Sequence, residues 1–217
     1  MKHYKTIIFD LDGTLTDSGP GVMNGIVYAL EHFGVAAPDE ASLHECIGPP
    51  LRDSFQRLGG FSREKAEEAI EVFREYYEPI GIFENSVYPG VAAMLGALKA
   101  AGRTLAVATS KLDRSALRVL DHFSLSSYFD LVAGSRADGT LSEKAEVLGH
   151  ALGLLGADAA DVLMVGDRKY DVEGAAENGV ACMGVLYGYG NRAELERAGA
   201  VYLAETPEDV ARMILAE

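Results

Sequence analysis

Two short acidic motifs offer the clearest chemistry in this chain. Asp10-Leu11-Asp12-Gly13-Thr14 sets two carboxylates two residues apart, directly after the apolar run Thr6-Ile7-Ile8-Phe9. Gly166-Asp167-Arg168-Lys169-Tyr170-Asp171 repeats the arrangement after Val162-Leu163-Met164-Val165. Carboxylates gathered at one edge can share a hard cation, because Mg²⁺ and Ca²⁺ prefer oxygen donors. A calcium loop opening at Asp10 fails, since Leu15 stands where that loop needs Gly and Gly21 where it needs Glu. A helix N-cap and turn would account for one aspartate, but it leaves two carboxylates repelling each other without a counter-ion. If a helix starts at the second motif, Asp167 and Asp171 stand at i and i+4 on one face. Alone, such a pair is more often a solvated helix face; its position after a strand is what raises its interest.

Other polar residues could complete such a site. Thr109 and Ser110 follow an apolar run at Leu105-Ala106-Val107-Ala108, where hydroxyls and backbone N–H groups can hold a phosphoryl oxygen. Ser and Thr also cap helices, so this signal is weak by itself. Lys144 opens a helical pattern, where an ammonium could stabilise negative charge on a transferred group; a solvated surface lysine is the plain alternative. Walker A and GxGxxG patterns are absent, which removes those nucleotide cradles.

The elements that must position these residues follow from hydrophobic period. Strand-like runs recur at Thr6–Phe9, Leu105–Ala108, Leu131–Ala133, Val162–Val165 and Cys182–Val185. Between them lie helical stripes: Val91, Met94, Leu95 and Leu98 before Gly102; Leu117, Val119 and Leu120; and Ala145, Leu148, Ala151 and Leu152 with Ser142 as N-cap. Alternation of this kind predicts an α/β fold, a Rossmann-like parallel sheet with helices on both faces. From residue 16 to 86 the pattern is helical with no convincing strand, as in Met23, Ile26, Val27 and Leu30, and in Ala66, Ala69, Ile70, Phe73 and Tyr77. Turn-prone residues flank it at Asp17-Ser18-Gly19-Pro20-Gly21 and Tyr88-Pro89-Gly90. The expected organisation is a core over 1–15 and 87–217 with an inserted small all-helical domain over 16–86.

Composition narrows the function classes. Of 217 residues, 48% are apolar, enough for a sizeable core, and 19 basic against 33 acidic side chains give a formal charge of −14. That field repels a phosphate backbone at long range, so a nucleic-acid polymer is not the expected partner. No apolar run reaches the roughly 18 to 20 residues of a membrane span, and the opening residues Met1 to Lys5 run straight into a strand, so the expected setting is cytoplasmic, away from membranes. Cys46 and Cys182 have no metal-ligand spacing and read as unlinked thiols.

Taken in order, Asp10-Leu11-Asp12-Gly13-Thr14, Thr109, Lys144 and Gly166-Asp167 through Asp171 resemble the four motifs of the haloacid dehalogenase-like hydrolase superfamily, across essentially the whole chain. The helical insertion is similar to the cap of its phosphoglycolate phosphatase-like branch, and Ile47-Gly48-Pro49-Pro50-Leu51 to that branch's cap loop. Gly188-Tyr189-Gly190, Glu194-Leu195 and Gly199-Ala200 also look like this branch. The stretches around Gly81–Asn85, Val87–Gly90, Lys144 and Gly166–Lys169 resemble its 5′-nucleotidase-like subset. Ala145 departs from the commoner phosphoglycolate phosphatase pattern, in which Pro follows the motif lysine.

The resemblance implies a phosphatase acting on a small phosphorylated metabolite. Asp10 would be the nucleophile, forming an aspartyl-phosphate, and Asp12 the acid and base. Mg²⁺ would sit on the Asp10 carboxylate, the Asp12 backbone carbonyl and Asp167, with Asp171 supporting it. Thr109, Ser110 and Lys144 would hold the phosphoryl group. Gly48, Pro49 and Arg52 would face the leaving group, although a surface arginine is an equal reading of Arg52. Three alternatives remain: a phosphomutase of the same fold, similar to β-phosphoglucomutase, would use the same motifs; Asp12 weighs against a dehalogenase; and the intact set Asp10, Asp12, Lys144 and Asp167 weighs against a non-catalytic binding module. Oligomeric state is open.

Overall fold

In the computed structural model, which describes residues 2–138 and 140–216, the apolar runs become strands in one sheet. Met1, Gly139 and Glu217, which belong to the expected core span, lie outside the described residues. The strands are β1 (Thr6–Phe9), β2 (Thr16–Asp17), β3 (Ser86–Val87), β4 (Thr104–Leu112), β5 (Leu131–Ser135), β6 (Val162–Gly166), β7 (Ala181–Val185) and β8 (Tyr202–Ala204). The helices are α1 (Gly19–His32), α2 (Glu40–His44), α3 (Leu51–Gly59), α4 (Arg63–Tyr77), α5 (Val91–Ala100), α6 (Asp113–His122), α7 (Lys144–Leu155), α8 (Lys169–Glu177), α9 (Arg192–Ala198) and α10 (Pro207–Leu215).

The larger sheet has the order β5-β4-β1-β6-β7-β8, and every neighbouring pair is parallel. The chain winds outward from β1 to β5, then returns to β6 on the other side, so the order reverses at β1. In open α/β sheets ligands bind at such a reversal, beyond the carboxyl ends of the strands. Ile8, Ala106 and Met164 point to one face and pack with Val147, Leu148 and Ala151 of α7, Val172 and Ala175 of α8 and Leu195 of α9. Helix α5 packs on β4 and α6 on β4 and β5, as the crossovers on that side of β1, while α10 packs on α5 and β8. The central strands β1 and β6 are buried along their whole length, which is why they read as unbroken apolar runs.

The chain divides into two compact units, one of Met1–Thr16 with Val87–Glu217 and the other of Asp17–Ser86. In the second unit α1 packs on α4, and α4 on α3. Ile26 and Leu30 of α1, Phe55 of α3 and Ala66, Ala69, Ile70, Phe73 and Tyr77 of α4 form its interior. Ser62 caps α4 by accepting from Lys65 N at 3.2 Å, which stops the helix from fraying at that end.

Three local expectations need correction, and one strand was not anticipated. The helix at Lys144 is capped at Glu143, not Ser142, and the Glu146 carboxylate accepts from Ser142 N and Glu143 N. Leu117 is 45% exposed, because α6 buries Ser115, Ala116, Val119 and Leu120 instead. The segment 16–86 is not strand-free at its ends, since β2 and β3 pair as a two-stranded ribbon. Strand β8 carries no strong alternation and stands at the sheet edge, where half-burial leaves a weak sequence signal. Among the described residues no helix is long and apolar enough to cross a membrane.

Candidate active site

Parallel register brings the motifs to one level. Phe9 of β1 stands opposite Val107 of β4 and Val165 of β6. Asp10 is therefore one residue beyond the last rung, and Thr109 and Asp167 are two beyond theirs. Asp10 N donates to Val165 O at 2.9 Å, which ties the acid's backbone to the neighbouring strand. The chain then turns on Leu11, whose carbonyl accepts from Leu15 N at 2.9 Å and Thr16 N at 3.0 Å. Thr14 Oγ1, carried on this turn, donates to Asp167 Oδ1 at 3.1 Å.

Asp10, Asp167 and Asp171 are buried, and one carboxylate oxygen from each lies within 4.8 Å of the others. Lys144, the first residue of α7, reaches into this group. Its ammonium forms ion pairs with Asp10 Oδ1 at 2.7 Å and Asp171 Oδ1 at 2.9 Å and donates to Ala108 O at 3.1 Å. Burial opposes the ammonium, but Asp10 and Asp171 outweigh it and hold the Lys144 pKa above that of an ordinary lysine. Asp10 is pushed up to about 6, first by burial and then by Asp171, against the pull of Lys144. Asp167 is driven well above the usual carboxylate range by burial, with Asp171 and Asp10 adding to it, against the hydrogen bonds from Tyr189 N and Thr14.

Those shifts describe a charge imbalance. Three carboxylates against one ammonium leave a formal −2 in a buried place, which only protons or a cation can offset. An all-oxygen donor set suits a hard divalent ion, so the residues fit Mg²⁺ chemically. Asp171 is the most committed of the three, with Oδ1 on Lys144 and Oδ2 accepting from Arg168 N at 3.0 Å. The expected i, i+4 helical pairing is corrected here: α8 begins at Lys169 with Arg168 as its cap, so Asp167 precedes the helix. A loop, rather than a shared helix face, brings the two acids together.

The segment after β7 closes around Asp167. Tyr189 N donates to Asp167 Oδ2 at 2.8 Å, and Tyr187 Oη donates to Thr14 O at 3.1 Å. A Cβ on Gly188 would lie 2.2 Å from Gly13 O and 2.4 Å from Asp167 Cβ, so only glycine permits the approach. Sequence reading noticed Gly188-Tyr189-Gly190 as a family likeness and missed this positional role.

The remaining candidates are placed as follows. Thr109 is buried and its Oγ1 accepts from Lys111 N at 3.2 Å, whereas Ser110 beside it is exposed. The Asp12 side chain lies outside the three-acid cluster and is held instead by Lys111, at 3.0 Å from Oδ1 and 2.8 Å from Oδ2. Lys111 was missed because nothing in a single sequence links positions 99 residues apart. Gly48, Pro49 and Arg52 belong to the helical unit, with Gly48 at φ +106° and Arg52 paired to Glu67 of α4. Cys46 and Cys182 are buried and unpaired.

A parallel sheet that reverses at its central strand, with an aspartate just past the end of that strand beside a lysine and two further acids, defines a hydrolase of the haloacid dehalogenase type. The sequence model of the haloacid dehalogenase-like hydrolases matches residues 7–185, and the chain belongs to that family. It is 43% identical over 192 residues to a 5′-nucleotidase of Pseudomonas aeruginosa, covering 88% of this chain and 87% of that protein. It is also 41% identical over 184 residues to the tyrosine-protein kinase PtkA of Mycobacterium tuberculosis, covering 85% of this chain but 62% of the kinase. The crystal structure of a predicted phosphatase from Clostridium acetobutylicum matches with a TM-score of 0.95 at 42% identity, covering 100% of both chains. The protein is an enzyme of this family, of the phosphatase type.

Proposed function

We propose that the chain hydrolyses a small phosphomonoester by way of an aspartyl-phosphate on Asp10. The observation that carries this reading is the state of that carboxylate. Its Oδ1 takes both the Leu11 N–H, at 2.7 Å, and the Lys144 ammonium, which leaves Oδ2 as the oxygen to meet phosphorus. In the first half-reaction Asp10 Oδ2 bonds to phosphorus as the ester P–O bond breaks, and Asp12 gives its proton to the departing alkoxide. In the second, Asp12 takes a proton from the water that attacks the phosphorus, which frees Asp10 and inorganic phosphate. Lys144 steadies the nucleophile, and Thr109 with the Ser110 segment holds phosphoryl oxygens at the strand end. Mg²⁺, held by the Asp10 carboxylate, the Asp12 carbonyl and Asp167 with Asp171 behind them, would supply the positive charge that the transferred group and the acid cluster both need.

A nucleoside 5′-monophosphate is the first substrate class to try, supported by the Pseudomonas relative and by Ala145 after the motif lysine. Phosphoglycolate is the second. The helical unit Asp17–Ser86 is read as a cap in which Gly48, Pro49 and Arg52 select the leaving group, with Arg52 giving up Glu67 to do so. The buried free thiols of Cys46 and Cys182 suit a cytoplasmic setting. The test is phosphate release from nucleoside 5′-monophosphates, phosphoglycolate, sugar phosphates and p-nitrophenyl phosphate, with Mg²⁺ or EDTA. Release that needs Mg²⁺ and disappears in Asp10→Asn is the expected result. Transfer to a sugar instead of water would move the reading to a phosphomutase, and no release by folded protein would end the phosphatase reading.

A further inference from the structure

We infer that Lys111 is the positioning residue for Asp12, built into β4 to aim the acid–base carboxylate at the leaving group; this rests on the phosphatase reading of Asp12 above. The ammonium lies 2.8 and 3.0 Å from the two Asp12 oxygens. The lysine side chain is 7% exposed and the aspartate 23%, so this is not a solvated surface pair. Burying an ammonium costs free energy that an exposed ion pair never incurs, so the contact is one the fold is built to make.

Three features of the backbone produce it. First, β4 and β5 are in register at Ala108 and Ala133, and pair again at Leu112 and Ser135. Four steps on β4 therefore face two on β5, which throws Thr109-Ser110-Lys111 out of the regular pleat. A bulge of this kind redirects a side chain from its strand face. Second, a Cβ on Gly134 would lie 2.6 Å from Lys111 O and from Asp113 N and Cα, so glycine opposite the bulge lets it close. Third, Thr109 Oγ1 accepts from Lys111 N, which pins the displaced residue from within the bulge.

The chemical consequence concerns geometry. Asp12 stands on a turn past the end of β1, where a partly exposed carboxylate would sample several rotamers. Holding it in one orientation shortens the search for the proton-transfer arrangement, and misplacement of such a group by about 1 Å can cost about 100-fold in rate. An ammonium suits this task because its donors rotate, so it can release one oxygen for proton transfer while keeping the other.

The experiment uses the full chain with Mg²⁺ and compares kcat/KM for a nucleoside 5′-monophosphate and for p-nitrophenyl phosphate. The alkoxide of the first needs a proton as it departs; p-nitrophenolate leaves without one. Lys111→Met is expected to lower kcat/KM for the nucleotide by about 10- to 100-fold and for p-nitrophenyl phosphate by less than about 3-fold. In an Asp12→Asn background the same substitution should cost nothing further, because residues that act as one unit are not additive. Equal losses on both substrates would make Lys111 a phosphoryl ligand or a structural residue and overturn the inference, as would full additivity in the double variant. If Lys111→Met does not fold, Lys111→Gln takes its place, and failure of both to fold assigns the lysine to stability and overturns the inference too. Inactivity of the wild-type protein on these two substrates and on the phosphoglycolate and sugar phosphates of the panel above is a different result: it removes the phosphatase reading, and the role of Lys111 goes with it.

Discussion

Lys144 shows how much one residue does at this site. Its ammonium donates to a backbone carbonyl and ion-pairs with two carboxylates that would otherwise repel each other in a buried place. Removing one partner of a buried ion pair is far more costly than the pair's net worth, because the charge left behind stays desolvated. Lys144→Met should therefore lower stability by about 3–5 kcal/mol in EDTA. A thermal melt checks this, and added Mg²⁺ should recover part of the loss. Phosphate release should fall by more than about 100-fold, as is usual when a preorganised charge is removed. An unchanged melting temperature in EDTA would mean that the cluster is not charged as described. The lysine itself was legible only through its order in the motif series. The same residue type at Lys111 stood outside that series and was invisible, although its side chain is as well buried.

At the scale of elements, strand ends set the site and loops refine it. The strands β1, β4 and β6 were readable as apolar runs, because a strand covered on both faces has no polar side. The loop after β7 was readable only as a likeness, since its role depends on where Gly13 and Asp167 come to rest. Gly188→Ala tests that role: the added methyl meets backbone and the Asp167 side chain, so the loop must retreat and the 2.8 Å bond from Tyr189 N lengthens. The expected cost is about 1–3 kcal/mol of stability, as for overpacking generally. A fall in Mg²⁺ affinity, read by titrating activity against Mg²⁺, should accompany it. Gly153→Ala is the control, because a Cβ there meets nothing within 4 Å and alanine is the better helix former. Equal behaviour of the two variants would show that the loop does not hold Asp167.

For the whole molecule, the acid cluster should couple stability to pH and to cations. Asp10 and Asp167 both have folded-state pKa values above the ordinary 3.8, with Asp10 at about 6. A raised carboxyl contributes its stability below the unfolded value and loses it as pH rises through the folded one. In EDTA the protein should thus lose stability from about pH 4 upward, through pH 6 toward neutrality. A divalent ion that binds only the folded state reverses this, by about 2.7 kcal/mol at a concentration 100 times its Kd. In a chain of this size that is a rise in Tm of about 5–10 °C. Asp167→Asn should melt higher than wild type in EDTA at pH 7.5, converge with it as the pH falls, and lose the response to Mg²⁺. A wild-type Tm indifferent to Mg²⁺ at pH 7.5 would rule out a cation in the cluster. The net charge of −14 adds a general repulsion that leaves this sign unchanged.

Sequence alone determined what depends on near neighbours along the chain: the buried strands, the periodic helices of the inserted segment, and the order of acids, hydroxyl and lysine. Period and motif are local properties, so they survive without knowledge of packing. Where locality failed, the errors were local too, as when Glu143 capped α7 in place of Ser142 and the chain turned before α8 instead of carrying Asp167 on it. Only the tertiary structure decided the pairings across the sheet edge. Lys144 on Asp10 and Asp171, Lys111 on Asp12, and Gly188 against Gly13 each join segments far apart in sequence. Their contacts exist because parallel register aligns Phe9 with Val107 and Val165, a relation set by how the strands cross over and dock.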